Sequence, residues 1–83
     1  MPEELVGEVV DFFAKPVVAA VHATSAFKVG DTIHFKGHTT DLQVTVNSMQ
    51  INNKSVTEAN AGDDVGVKVP DKVRHGDSVY RVV

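Results

Sequence analysis

"AGDDVGVKV", residues 61–69, decides the fold class. Val65, Val67 and Val69 alternate with Gly66 and Lys68, the period of a strand with one buried face and one wet face. The Gly62-Asp63 pair before the run supplies a turn, because glycine takes backbone angles that other residues avoid and aspartate accepts hydrogen bonds from turn amides. The unit recurs in "KVGDTIHFKG", residues 28–37, and in "RHGDSVYRVV", residues 74–83, each time ahead of alternating apolar residues. A catalytic or metal-binding set would need Asp31, Asp63 and Asp77 at one point, and nothing in the sequence gathers them. The three units read as punctuation that starts strands.

Outward from these units the whole chain reads as strand. Seventeen of the 83 residues are valine, which fits a pleated surface and is stiff in a helix. Strands are expected near Leu5–Phe13, Val17–Thr24, Asp31–Lys36, Leu42–Asn52, Ser55 and Val56, Asp64–Val69 and Asp77–Val82. Lys15-Pro16, Gly30, Gly37 to Asp41, Asn52-Asn53, Gly62 and Gly76 fall between them as turns. Ile33 and Phe35 should face the core while Thr32, His34 and Lys36 face water. The long fourth run changes phase between Val46 and Met49, which a β-bulge near Asn47 or Ser48 would accommodate. Short antiparallel strands with one buried face, in so short a chain, predict an all-β fold: a small closed or nearly closed antiparallel β-barrel of six to seven strands.

Length and composition bound the function. A chain of 83 residues supports one small core, so residues 1–83 are expected to form a single domain. No cysteine is available for a disulfide or a thiolate metal site, which fits a reducing compartment. The acidic start and the lack of an apolar run approaching ~20 residues predict a cytoplasmic protein away from membranes. Net charge is −3, and the first eleven residues hold four acids and no base, leaving the remainder almost neutral. That balance offers little for a phosphate-binding face, so RNA is the lesser expectation beside a protein or ribonucleoprotein partner. The histidines His22, His34, His38 and His75 lack short metal-ligand pairings and are read as solvated surface groups. Ser25, Ser48, Ser55 and Ser78 lie in no nucleophile-elbow motif. No catalytic residue, metal site or cofactor is expected.

The order of elements carries a resemblance. "VGEVVDFF", "KVGDTIHFKG", "VTVNSMQIN", "VTEANAGDDVGVKV" and "RHGDSVYRVV" together resemble the second domain of translational GTPases such as elongation factor Tu, a small β-barrel. "MQINNKSVTEANAGDDVGVKVP" and the final "GDSVYRVV" are equally similar to the C-terminal accessory barrel of collagenase-like bacterial peptidases, a non-catalytic appendage. Small stand-alone proteins described as translation elongation factor-like share the pattern. The resemblance implies a binding module, either docking on a protein or ribonucleoprotein or holding a tRNA 3′ end. GTP binding is excluded for this chain, because no segment matches the phosphate-cradling pattern GxxxxGK[ST]. In the elongation-factor barrel a glutamate and basic residues at the end of the long strand meet the RNA. Those positions fall here on Gln50, Asn52 and Asn53, and with Lys54 they form the expected contact rim.

Overall fold

Alternating valines and turn glycines produce strands throughout the computed structural model, which describes residues 3–14, 17–52 and 54–82. The elements are β1 (Glu3–Ala14), β2 (Val17–Ala23), β3 (Phe27–Lys28), β4 (Thr32–Lys36), β5 (Asp41–Thr45), β6 (Met49–Ile51), β7 (Lys54–Val56), β8 (Glu58–Ala59), β9 (Asp64–Lys68) and β10 (Ser78–Val82). Eight of them form one antiparallel sheet in the order β5-β4-β10-β1-β2-β9-β6-β7, and β3 pairs with β8 separately. No helix is long and apolar enough to cross a membrane among the described residues. The expected turn at Lys15-Pro16 lies outside the described residues.

The inward positions are those the alternation assigns. Ile33, Phe35, Val65, Val67 and Val69 are buried, and they share one apolar cluster with Val6, Val9, Val21, Val46, Met49 and Val79. Full burial of each large side chain stabilises by about 1.5–3 kcal/mol. β1 bridges the two halves of the sheet, pairing with β10 and with β2, and its register shifts between Leu5 and Gly7 and between Val9 and Asp11. The first shift leaves Val6 and Gly7 both buried. Gly7 permits the close approach of β2, since a Cβ there would stand 2.6 Å from the His22 carbonyl oxygen and 2.9 Å from Val21 Cγ1.

The three Gly-Asp units fold identically. Asp31, Asp63 and Asp77 each donate a backbone N–H to the carbonyl three residues earlier, and each Oδ2 accepts the N–H of that same residue: Lys28 (3.0 Å), Asn60 (2.9 Å) and Arg74 (2.8 Å). Gly30, Gly62 and Gly76 sit at φ +99°, +92° and +92°, the conformation such turns require. Each turn then clasps one buried residue from elsewhere in the chain. The glycine N–H donates to its carbonyl and the aspartate carbonyl accepts its N–H: Gly30 and Asp31 hold Val46, Gly62 and Asp63 hold Ala23, and Gly76 and Asp77 hold Val9. The aspartates are strand punctuation, each committed to its own turn.

The fold differs from the sequence expectation in its strands and in its closure. Ten strands stand among the described residues where six to seven were expected, because the long fourth run divides and the short Phe27–Lys28 and Glu58–Ala59 pair with each other. The phase change after Val46 is real, but it marks the end of one strand and the start of another: β5 pairs with β4, whereas β6 pairs with β7 and β9. Asn47 and Ser48 carry the chain between the two ends of the sheet, so the register has no single partner to keep. A closed barrel is not found, because no ladder joins β5 to β7 among the described residues. Among the described residues the sheet keeps two free edges, and a cleft of about 410 Å³ opens between β5 and the segment Lys68 to Pro70.

Candidate binding surface

The expected rim lies on the β6–β7 hairpin. Met49↔Val56, Gln50↔Ser55 and Ile51↔Lys54 are its cross-strand partners, and Asn52 follows β6 at the turn. Asn52 takes φ +53°, the left-handed conformation that asparagine accepts more readily than most residues. Gln50, Asn52 and Lys54 are exposed, and Asn53 lies outside the described residues.

Gln50 faces a shallow depression of about 220 Å³ that it shares with Val18, Ser48, Gly66 and Lys68. The register explains its shape. Ala20, Gly66 and Gln50 stand in one cross-strand row over β2, β9 and β6, and Val18 and Lys68 stand in the next. The small residues at Ala20 and Gly66 form a low floor, and the longer chains of Val18, Lys68 and Gln50 rise beside it. The contribution of Val18, Gly66 and Lys68 is not evident from a hairpin motif alone. Its sequence signal is a glycine inside a strand, which marks a place where another group can approach the backbone.

A second polar cluster covers the outer face at the other end of the sheet. His34 Nδ1 lies 2.7 Å from Glu3 Oε2, and His34 Nε2 also bonds Asp41 Oδ1. Lys36 Nζ stands 3.1 Å from Glu3 Oε1 and 5.5 Å from the Tyr80 ring centre. A histidine with a carboxylate on each ring nitrogen satisfies both only when both nitrogens carry protons. The hydrogen bonds from Asp41 and then Glu3 accordingly raise the His34 pKa above its ordinary 6.5. The bonds from His34 and then Lys36 lower the Glu3 pKa below its ordinary 4.5. His34 thus corrects the sequence reading: its side chain is only 14% exposed, and it is a tie between strands instead of a solvated surface group. His22 is also paired, with Nδ1 2.7 Å from Asp64 Oδ1. Among the described residues no group of three or more potential ligands is placed to hold a metal ion.

No family model matches the chain. Over 76 residues, 90% of its length, it is 46% identical to an uncharacterized protease of Methanocaldococcus jannaschii, and the match covers 19% of that protein. The chain therefore spans about a fifth of the length of this curated relative. Its fold matches the C-terminal domain of a U32 peptidase candidate from Geobacillus thermoleovorans with a TM-score of 0.89, over 96% of this chain and 93% of that one, at 17% identity. The selenomethionine variant of the same domain matches with a TM-score of 0.84, over 95% of this chain and 99% of that one, at 18% identity. At such identities the likeness is one of fold. It bears on the peptidase-barrel resemblance; the elongation-factor resemblance rests on the sequence elements.

Proposed function

We propose that this chain is a non-catalytic docking module that binds a larger protein, of the kind fused to peptidases in its relatives. One observation carries the reading: 46% identity over 90% of this chain is confined to about a fifth of a protease chain. A segment of that size, built from strands around a single apolar cluster, is an accessory to the remainder and does not contain a whole peptidase. The hairpin carrying Gln50, Asn52, Asn53 and Lys54, with the depression beside Gln50, is the proposed contact. Its amides and lysines bind polar groups at short range and supply little long-range steering. The reaction of any partner stays with the partner.

The test is calorimetric titration of this chain into the M. jannaschii protease from which the matching segment has been removed. Saturable binding that weakens on substitution of Gln50 and Lys54 supports the module. No interaction, with an intact fold on both sides, overturns it.

A second reading follows from the resemblance to the second domain of translational GTPases. Lys68 and Gln50 border one depression, which gives a cation and an amide over a low floor, a combination suited to an RNA end. A gel shift with deacylated tRNA at low salt, abolished at high salt, would favour it over protein docking.

A further inference from the structure

The free edge at β5 is built differently from the hairpin, and the two share one residue, Lys68, which borders both the depression beside Gln50 and the cleft at β5. Two hydrogen bonds fix which residues face outward. Gly37 N–H donates to the Thr40 carbonyl and Val46 N–H donates to the Asp31 carbonyl. In an antiparallel ladder the bonding residues alternate, so residues 40, 42, 44 and 46 turn their backbone groups toward β4. The N–H and C=O groups of Asp41, Gln43 and Thr45 therefore point away from β4, and no backbone bond joins them to another described residue. Gln43 and Thr45 border the cleft of about 410 Å³, which Val44, Asn47, Lys68, Val69 and Pro70 complete, and Asp41 continues the same edge beyond it. Val44 and Val69 give the cleft an apolar floor continuous with the core, and Lys68 stands at its rim.

Natural proteins blunt exposed strand edges with shortness, charges, proline, bulges or a covering segment. β5 is five residues long, has no proline and no register shift against β4, and its one charge, Asp41, is bonded back to His34 of β4. We infer that β5 receives an extended peptide strand from another protein, which adds to the sheet edge and fills the cleft. The geometry specifies its chemistry. Donors and acceptors repeat at every second residue, which only an extended backbone matches. Alternate side chains of the added strand would lie over Val44 and Val69 and must be apolar. The neutral rim of Gln43, Thr45 and Asn47 tolerates polar residues on the other face, and Lys68 favours an acidic side chain at its end of the cleft. A second copy of this chain is a poorer occupant. Its own β5 is already paired with β4, so it cannot enter the cleft as a single strand.

The experiment uses a short blocked peptide of alternating valine and threonine with a terminal glutamate, titrated into the isotope-labelled protein. Shift changes and slowed amide exchange are expected at Asp41, Gln43, Thr45 and Val69, and not at Gln50 or Lys54. The same peptide methylated on alternate backbone nitrogens should bind at least about tenfold more weakly. Gln43→Pro removes one outward N–H and leaves the bonds to β4 in place, so it should keep the spectrum of the folded protein and lose the same factor. Lys68→Glu should reverse the preference between peptides ending in glutamate and in lysine. Equal binding of the methylated peptide, shifts confined to the hairpin, or no shifts at millimolar peptide would overturn the inference. Concentration-dependent shifts at Asp41, Gln43 and Thr45 without peptide, accompanied by dimer in sedimentation, would assign the edge to a second copy instead.

Discussion

His34 Nδ1 lies 2.7 Å from Oε2 of Glu3, thirty-one residues away in the chain, and this bond ties the start of β1 to β4 across β10. Asp41 bonds the other ring nitrogen and extends the tie to the free edge strand β5.

Stability should therefore respond to pH on two sides. His34 has a raised folded pKa, so its contribution is fully present below about 6.5 and is lost as pH rises through the folded value. Glu3 has a lowered folded pKa, so its contribution is present above about 4.5 and is lost as pH falls through the folded value. The pair contributes most between these two ordinary values. Urea midpoints measured across that range and on both sides of it check this, and His34→Gln should flatten the alkaline decline. An unchanged slope in that variant would show that the tie does not contribute.

Val67 is fully buried, and Val67→Asp should cost about 3 kcal/mol or more, because it places an unpaired carboxylate in the core. Chemical denaturation reads this directly. Lys68→Asp, one position along on the wet face, should change stability by less than about 0.5 kcal/mol. Similar losses in both variants would reverse the face assignment.

Two kinds of glycine should separate under alanine substitution. Nothing lies within 4 Å of a Cβ added at Gly30, Gly62 or Gly76, so Gly→Ala there carries the backbone cost alone, about 1 kcal/mol. At Gly7 the added methyl meets the His22 carbonyl, and β1 and β2 must part, which should cost about 1–3 kcal/mol. Melting temperatures of the four variants provide the ranking, and a neutral Gly7→Ala would contradict the close approach.

Asn52 is a poor position for an alanine probe, because its φ of +53° penalises a Cβ that lacks the asparagine amide. Asn52→Gly is the appropriate variant. It should keep the melting temperature within a degree or two of wild type and still weaken protease capture, as measured in the calorimetric titration.

Most of the fold is legible in local pattern. The alternation of Val65, Val67 and Val69 and of Ile33 and Phe35 assigns the buried face correctly, because a period of two admits only one such assignment once the core is chosen. The Gly-Asp pairs are also legible, since their chemistry is complete within four residues. Closure is not, because whether β5 meets β7 depends on pairings between segments that carry no mark of each other. The same limit hides the environment of His34, whose partners Glu3 and Asp41 lie in different strands. The sequence marks Gln50 only through a family resemblance at the end of the run Leu42–Asn52, whereas Lys68 and Val18 come beside it only through register.

The three clasped pairs, Val9 with Asp77, Ala23 with Asp63 and Val46 with Asp31, lie inside one another along the chain like brackets. An order of assembly follows from loop entropy. The innermost pair closes a loop of fifteen residues, while the middle and outer pairs span forty and sixty-eight. Closure becomes costlier as the logarithm of the free length, but each inner clasp shortens the chain that the next must draw in. Folding from the centre outward never pays for the full separation of the two ends. Amide protection should therefore appear first at Val46, next at Ala23 and last at Val9.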